Sequence, residues 1–288
     1  MATLHTRASA RLMMAPSVIL LFVWMIVPLA MTLYFSFLSY NLLTPGAHNF
    51  IGFLNYSYFL TDPAFLMAIG NTLLIVVGVL LITVIGGVLL ALVLDQPFWG
   101  QGIVRLLVIA PFFVTYLIRT LAWETILSDG GPVVSILRDV HILGSDGRLL
   151  ATSSAVIAGL VYNFLPFMVL PLYVSLEQID TRLVEAAEDL YASRTRSFLK
   201  VTLPLSLPGV FAGVLLTFIP ATGDFINAQL LGTPRQYMIG NVIQNKYLVI
   251  QDYPTAAALS FILMTFILIG IFIYARLLGA QNLSEAAI

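Results

Sequence analysis

Long apolar runs without a charged residue dominate this chain. Each predicts a membrane-crossing helix, because about 20 apolar residues cover the hydrocarbon core of a bilayer. Residues 12–61 contain no Asp, Glu, Lys or Arg, and their apolar part, 17–38, predicts span one. A second uncharged run between Asp62 and Asp95 predicts span two at 65–94. Span three is expected at 103–127, although Arg119 and Glu124 interrupt its apolar pattern. Span four falls at 151–172, span five at 208–231 with Asp224 inside it, and span six at 253–275. The pattern predicts an all-α membrane protein with six transmembrane helices in a single domain, 1–288.

Composition agrees with the pattern. The 288 residues are 60% hydrophobic and 9% charged, where soluble chains run at roughly 45–50% and 25%. With a mean hydropathy of +0.99, much of the surface must be solvated by lipid. Thirteen basic and fourteen acidic side chains nearly cancel, which excludes the basic excess of a nucleic-acid binder. Cysteine is absent, so thiolate metal sites and cysteine nucleophiles are excluded. His5, His48 and His141 are far apart in sequence, and no metal site is expected.

Basic residues set the orientation. With the N-terminus inside, Arg7, Arg11, Arg105, Arg182, Arg194, Arg196, Lys200 and Arg276 face the cytoplasm, and Arg138, Arg148, Arg235 and Lys246 face outward. Both termini are therefore expected to be cytoplasmic. A cleaved signal peptide is the competing reading of the N-terminus, but the apolar run is long for one and lacks a clear cleavage site. Turn residues mark two external segments, 39–64 with Thr44-Pro45-Gly46 and 128–150 with Asp129-Gly130-Gly131-Pro132.

The one large cytoplasmic excursion is 173–207. It holds four of the basic residues and five of the acidic ones, Glu177, Asp180, Glu185, Glu188 and Asp189. Asp180 or Thr181 can cap a helix start, and Leu183, Ala186, Ala187 and Leu190 then recur as one apolar stripe. A second helical run, 194–202, is expected to stop at Pro204 and Pro208. Two short helices at a corner form either a docking knob or a pair of amphipathic helices lying on the headgroups.

Glu185-Ala186-Ala187, followed by Val201-x-Leu203-Pro204, resembles the EAA loop of permeases of binding-protein-dependent ABC importers. Phe50-Ile51-Gly52-Phe53-Leu54-Asn55-Tyr56, Gly70-Asn71-Thr72-Leu73, Pro111-Phe112-Phe113, Ile118-Arg119-Thr120-Leu121-Ala122-Trp123, Gly223-Asp224-Phe225 and Ile239-Gly240-Asn241-Val242-Ile243 are similar to the spermidine/putrescine branch. The resemblance implies a type I importer (MetI-like) permease fold and a coupling loop, here Glu185, Ala186, Ala187, Tyr191, Leu203 and Pro204, that docks on a cytoplasmic ATPase. It also implies a second permease, as a rule a different chain, two ATPase subunits that bind ATP and Mg, and an external substrate-binding protein. Where the family places Gly, this chain has Tyr191. Either the bend shifts to Ala192-Ser193 or the helix continues, and Tyr191→Gly is expected to keep or improve coupling.

The only lysines, Lys200 and Lys246, follow Leu and Asn, so there is no Gly-Lys-Ser/Thr to hold phosphates. Charges within spans cost about 2.5–3.5 kcal/mol each on insertion scales. In straight rods, Arg119 and Asp224 lie ~6 and ~7 Å outward of their span centres, and Glu124 ~13 Å. Arg119 and Asp224 could thus pair, or could line a pathway with Asn227, Glu124, Trp123 and Tyr162. Carboxylates and the rings of Tyr116, Trp123, Tyr162 and Phe225 suit an aliphatic ammonium, such as a polyamine. Another small solute is the alternative. An ion-coupled secondary transporter would leave the large loop without purpose. Neither His-Glu-x-x-His nor Gly-x-Ser-x-Gly is present, so an intramembrane enzyme is disfavoured.

Overall fold

The computed structural model describes residues 2–41, 49–95, 98–144 and 146–277; Thr44-Pro45-Gly46 and His48 lie outside them. Thirteen α-helices follow in order among the described residues: α1 (Ala2–Phe35), α2 (Leu54–Thr61), α3 (Pro63–Asp95), α4 (Gln101–Ile109), α5 (Tyr116–Leu127), α6 (Pro132–Asp139), α7 (Ser153–Glu177), α8 (Thr181–Asp189), α9 (Arg194–Ser197), α10 (Leu203–Thr222), α11 (Ile226–Leu231), α12 (Ile239–Gln244) and α13 (Tyr253–Leu277). The only extended pairing among them is a single antiparallel bridge between Leu38 and Phe50.

Five stretches are long and apolar enough to cross a membrane unbroken: Met13–Phe35, Pro63–Asp95, Ser153–Glu177, Arg194–Thr222 and Tyr253–Arg276. The sixth is bent by 108° between Gln101–Phe113 and Tyr116–Asp139. Counted as one broken span, the bent pair brings the candidate spans among the described residues to six, and the third is not the rod expected at 103–127. After α4 the chain tightens into a 3-10 turn, Ala110–Phe113, with Pro111 in its first turn. Val114 and Thr115 are then extended before α5 begins.

Span five departs from expectation at both ends. The run from Arg194 does not stop at Pro204 or Pro208 but continues as one helix to Thr222. A π-helical turn, Phe198–Thr202, precedes Pro204, and the Leu203 amide reaches back five residues to the Phe198 carbonyl. Widening the turn relieves the clash that a proline ring otherwise makes with the carbonyl four residues earlier. At the other end the helix stops at Thr222, and Gly223, Asp224 and Phe225 interrupt it before α11.

The described residues form two compact units. One takes in the chain up to Asp62 together with Ile243–Met264. Within it, Asn55 donates from Nδ2 to the carbonyls of Ser36 (2.9 Å) and Leu38 (2.8 Å), which fixes the turn after α1. Phe37 packs among Phe50, Phe53 and Tyr56.

The other unit takes in Pro63–Val242 and the chain from Thr265. Its core is α3, α7 and α10, held close by small residues. A Cβ at Gly87 would lie 2.5 Å from Met168 Cγ, and one at Gly213 would lie 2.6 Å from Met168 Sδ. Gly209 faces the α7 backbone at Pro171 and Leu172. The small-xxx-small pair of span five thus packs within the chain, where it lets helices approach closely.

Candidate functional site

Both interrupted spans carry polar side chains at their breaks, and these side chains meet. Tyr116, the first residue of α5, donates its hydroxyl to Asp224 Oδ1 at 2.6 Å. Asp224, in the break of span five, accepts at Oδ2 from the Asn227 backbone amide at 3.0 Å, a bond that satisfies one of the unpaired donors at the start of α11. Asn227 Nδ2 donates to Asp224 Oδ1 at 3.3 Å and to the Tyr116 hydroxyl at 2.5 Å. Asn163 on α7 donates to Thr120 Oγ1 and to Asn227 Oδ1, both at 3.4 Å. All but Tyr116 are buried.

The break is held open from outside by two of the motifs quoted above. A Cβ at Gly240 would lie 2.7 Å from the carbonyl oxygens of Gly223 and Asp224, so only glycine fits against that exposed backbone. Asn241 donates to the Phe225 carbonyl at 2.8 Å and accepts from the Met238 amide at 3.0 Å. Thr72 accepts from the Ile239 amide at 2.9 Å. Asn71 donates to the carbonyls of Arg235 (2.7 Å) and Tyr237 (3.0 Å). The Gly70–Leu73, Gly223–Phe225 and Ile239–Ile243 motifs therefore contribute to one construction.

Arg119 and Asp224 form no ion pair. The equal-depth argument assumed straight rods, but span three is broken just before the helix that carries Arg119 and span five is broken at Asp224 itself. Asp224 is instead satisfied by neutral donors. Arg119 is only 9% exposed; its guanidinium lies 5.7 Å from the Tyr116 ring centroid, and its Nε has no hydrogen-bond partner among the described residues. Trp123 and Tyr162 meet edge to face at 5.5 Å. Glu124 is partly exposed and takes no part in the polar cluster.

Asn163 was not named from the sequence, Thr120, Asn71 and Asn241 entered only as members of quoted motifs, and Tyr116 was read for its ring rather than its hydroxyl. A signal existed for Asn163, an amide alone in an apolar span. The pairings of Asn71 and Asn241 with carbonyls far along the chain had none.

The elbow ahead of span five is built by local caps. α7 runs to Glu177, so the excursion proper begins later than residue 173. Asp180 accepts from the Arg182 amide at 3.0 Å and starts α8; Ser193 does the same for α9 through the Arg196 amide at 3.4 Å. No residue of α8 is buried, and Glu185 and Ala186 face solvent with Ala187 half-buried. Leu203 and Pro204 open α10. On the side of Val184 and Glu185 lies a cavity of about 510 Å³, lined also by Arg105, Tyr173 and Glu177.

At the end of α8 neither expectation for Tyr191 is met. The helix stops at Asp189, and Tyr191 itself turns the chain, with φ +60°. Its amide donates to the Glu188 carbonyl (2.9 Å), and the Ala192 amide donates to the Ala187 carbonyl (3.0 Å). This is a Schellman closure, in which a side-chain-bearing residue loses ~1–2 kcal/mol relative to an ordinary conformation.

Apolar helices broken around a buried polar cluster, with an exposed helical elbow leading into the second, define a multi-pass membrane transport subunit. Residues 83–280 match the family described as "Binding-protein-dependent transport system inner membrane component", and the chain belongs to that family. It is 43% identical over 170 residues to the spermidine/putrescine transport system permease protein PotB of Haemophilus influenzae, covering 59% of each chain. It is 39% identical over 197 residues to the protein of that name from Escherichia coli K12, covering 65% of this chain and 72% of the other. The E. coli inner membrane ABC transporter permease protein YdcU is 34% identical over 187 residues, covering 60% and 58%. The matched segment thus spans less than two thirds of the H. influenzae relative. In fold, the chain is similar to a subunit of a bacterial ABC transporter involved in the import of the acidic polysaccharide alginate. There the TM-score is 0.76 at 19% identity, with 96% of this chain and 97% of that one covered.

Proposed function

We propose that this chain is a transmembrane subunit of an ATP-driven importer and carries a small cationic solute, a polyamine such as spermidine or putrescine. A second permease, a different chain, completes the pathway. Two cytoplasmic ATPase subunits bind ATP and Mg and dock on the elbow formed by Glu185, Ala186, Ala187, Tyr191, Leu203 and Pro204. An external binding protein delivers the solute, and both termini and the elbow face the cytoplasm. The names of the PotB relatives support the solute class. The observation that carries it is Asp224, a buried carboxylate at a helix break, bonded to Tyr116 and Asn227 with no cation paired to it among the described residues.

In this mechanism ATP binding closes the ATPase dimer and moves the elbow. The second arm of the elbow, from Arg194, is continuous through the π-helical turn with α10, whose far end is the break at Asp224, and α8 joins that arm through the turn at Tyr191. Displacement of α8 therefore reaches the carboxylate through the Tyr191 turn and then along the helix from Arg194 to Thr222. Uptake of labelled spermidine and putrescine by proteoliposomes holding the complete transporter tests the reading. Uptake that follows internal ATP and persists when the proton gradient is collapsed supports it; uptake driven by the gradient without an ATPase overturns it. The chain has no cysteine, so a single cysteine placed at Glu188 reports which side of the membrane the elbow faces.

A further inference from the structure

We propose that Tyr191 is the aromatic anchor by which the elbow grips its ATPase, a reading that rests on the docking role given to the elbow above. Three observations converge on it. Tyr191 holds the left-handed turn position that glycine fills without strain. Its side chain is 97% exposed, and its neighbour Leu190 is 82% exposed. Neither side chain makes a hydrogen bond or ring contact among the described residues, so only the two backbone hydrogen bonds of the turn offset the cost and the tyrosine ring adds nothing to them. His141, Ala151 and Gln251 are also left-handed and exposed, so the conformation alone does not single out Tyr191; a large ring left almost wholly exposed at such a position points to a use outside the chain. Tyrosine is also among the residues that dominate binding energy when they fill a desolvated pocket.

Charge defines the receiving surface. Glu185, Glu188 and Asp189 precede the exposed pair and Arg194 and Arg196 follow it. The matching site on the ATPase is an apolar pocket with basic groups on the side of α8 and acidic groups on the side of α9. The backbone argument alone favoured glycine at 191; the exposed ring reverses the expectation for coupling while leaving it intact for stability.

The test uses the assembled transporter and measures ATPase-subunit binding, coupled uptake and thermal unfolding. Tyr191→Gly and Tyr191→Asn, both at ease in this conformation, are expected to unfold no earlier than the parent. They should nevertheless bind the ATPase about tenfold more weakly or worse, and Tyr191→Phe should bind as the parent does. Binding of the glycine variant within about twofold of the parent overturns the proposal. So does protection of a fluorophore on Tyr191→Cys by vesicles without ATPase, since the ring would then lie in lipid. Ala186→Trp, which blocks close approach to α8, separates the two readings. Loss of binding in that variant alone removes only the anchor, whereas normal binding in both Ala186→Trp and Tyr191→Gly removes the docking reading as well.

Discussion

The polar cluster at the breaks and the elbow ahead of α10 solve opposite problems. Around Asp224 the polar groups are buried and mostly satisfied by one another, and the local backbone is clamped by Gly240, Asn241 and Thr72. In the elbow the helix ends are satisfied by local caps, most side chains are exposed, and the strained Tyr191 has no side-chain hydrogen bond or ring contact among the described residues. The cluster draws most of its hydrogen bonds from within this chain, leaving Asn163 Oδ1 and Arg119 Nε without a partner among the described residues, whereas the elbow side chains draw almost none. A region finished internally has its geometry fixed before any partner arrives. A region finished only by a partner transmits whatever that partner does.

The comparison breaks most visibly where the clamp is most crowded. Gly240→Val is expected to abolish folded, assembled protein, because its Cβ would overlap the Gly223 and Asp224 carbonyls and backbone cannot move aside cheaply. Detergent-extracted protein of normal monodispersity would show that the clamp is dispensable. Asp224→Asn should come next: assembly is kept and cation uptake falls by about a hundredfold, as the amide no longer offers a charge. Adding Arg119→Gln should not rescue it, because the two residues are not paired. Rescue would restore the ion pair that the straight-rod arithmetic allowed. Tyr116→Phe is milder, removing one donor from a buried carboxylate at a cost of about 1–3 kcal/mol. Its unfolding midpoint should fall while Tyr191 variants leave the cluster untouched.

What the sequence disclosed follows the same division. Apolar runs announced the five unbroken candidate spans and the place of the bent pair at the third, because lipid imposes a length and an absence of charge that any reader can count. Asp180 announced the cap of α8 because capping is a local exchange between neighbours. The bend after Phe113 was hidden, since Pro111 marks a turn but not its angle. The run through Pro204 was misread because proline reads as a stop unless a π-helical turn is known to precede it. Asn71 and Asn241 stood in quoted motifs, but nothing in those motifs gave their partners. Their partners are carbonyls brought near by the fold, such as those of Arg235 and Phe225, and a carbonyl leaves no trace in a sequence. Tyr191 sat in plain view as a departure from a resemblance, yet only its φ revealed that the bend had stayed in place.

The smallest effect sharpens the comparison most. α8 spans Thr181–Asp189 and buries no residue, and helices this short are marginal in water without end caps or a docking surface. Asp180→Ala removes the carboxylate that accepts the Arg182 amide and should cost α8 about 1 kcal/mol. Amide exchange across α8 should then quicken about fivefold, with no change in the amides around Asn227, where tertiary hydrogen bonds hold the break. Adding the ATPase should erase most of that difference, because docking supplies the order that the cap no longer gives. If exchange at Asn227 rose as well, the elbow and the break would belong to one cooperative unit. The division between a finished site and an unfinished one would then be wrong.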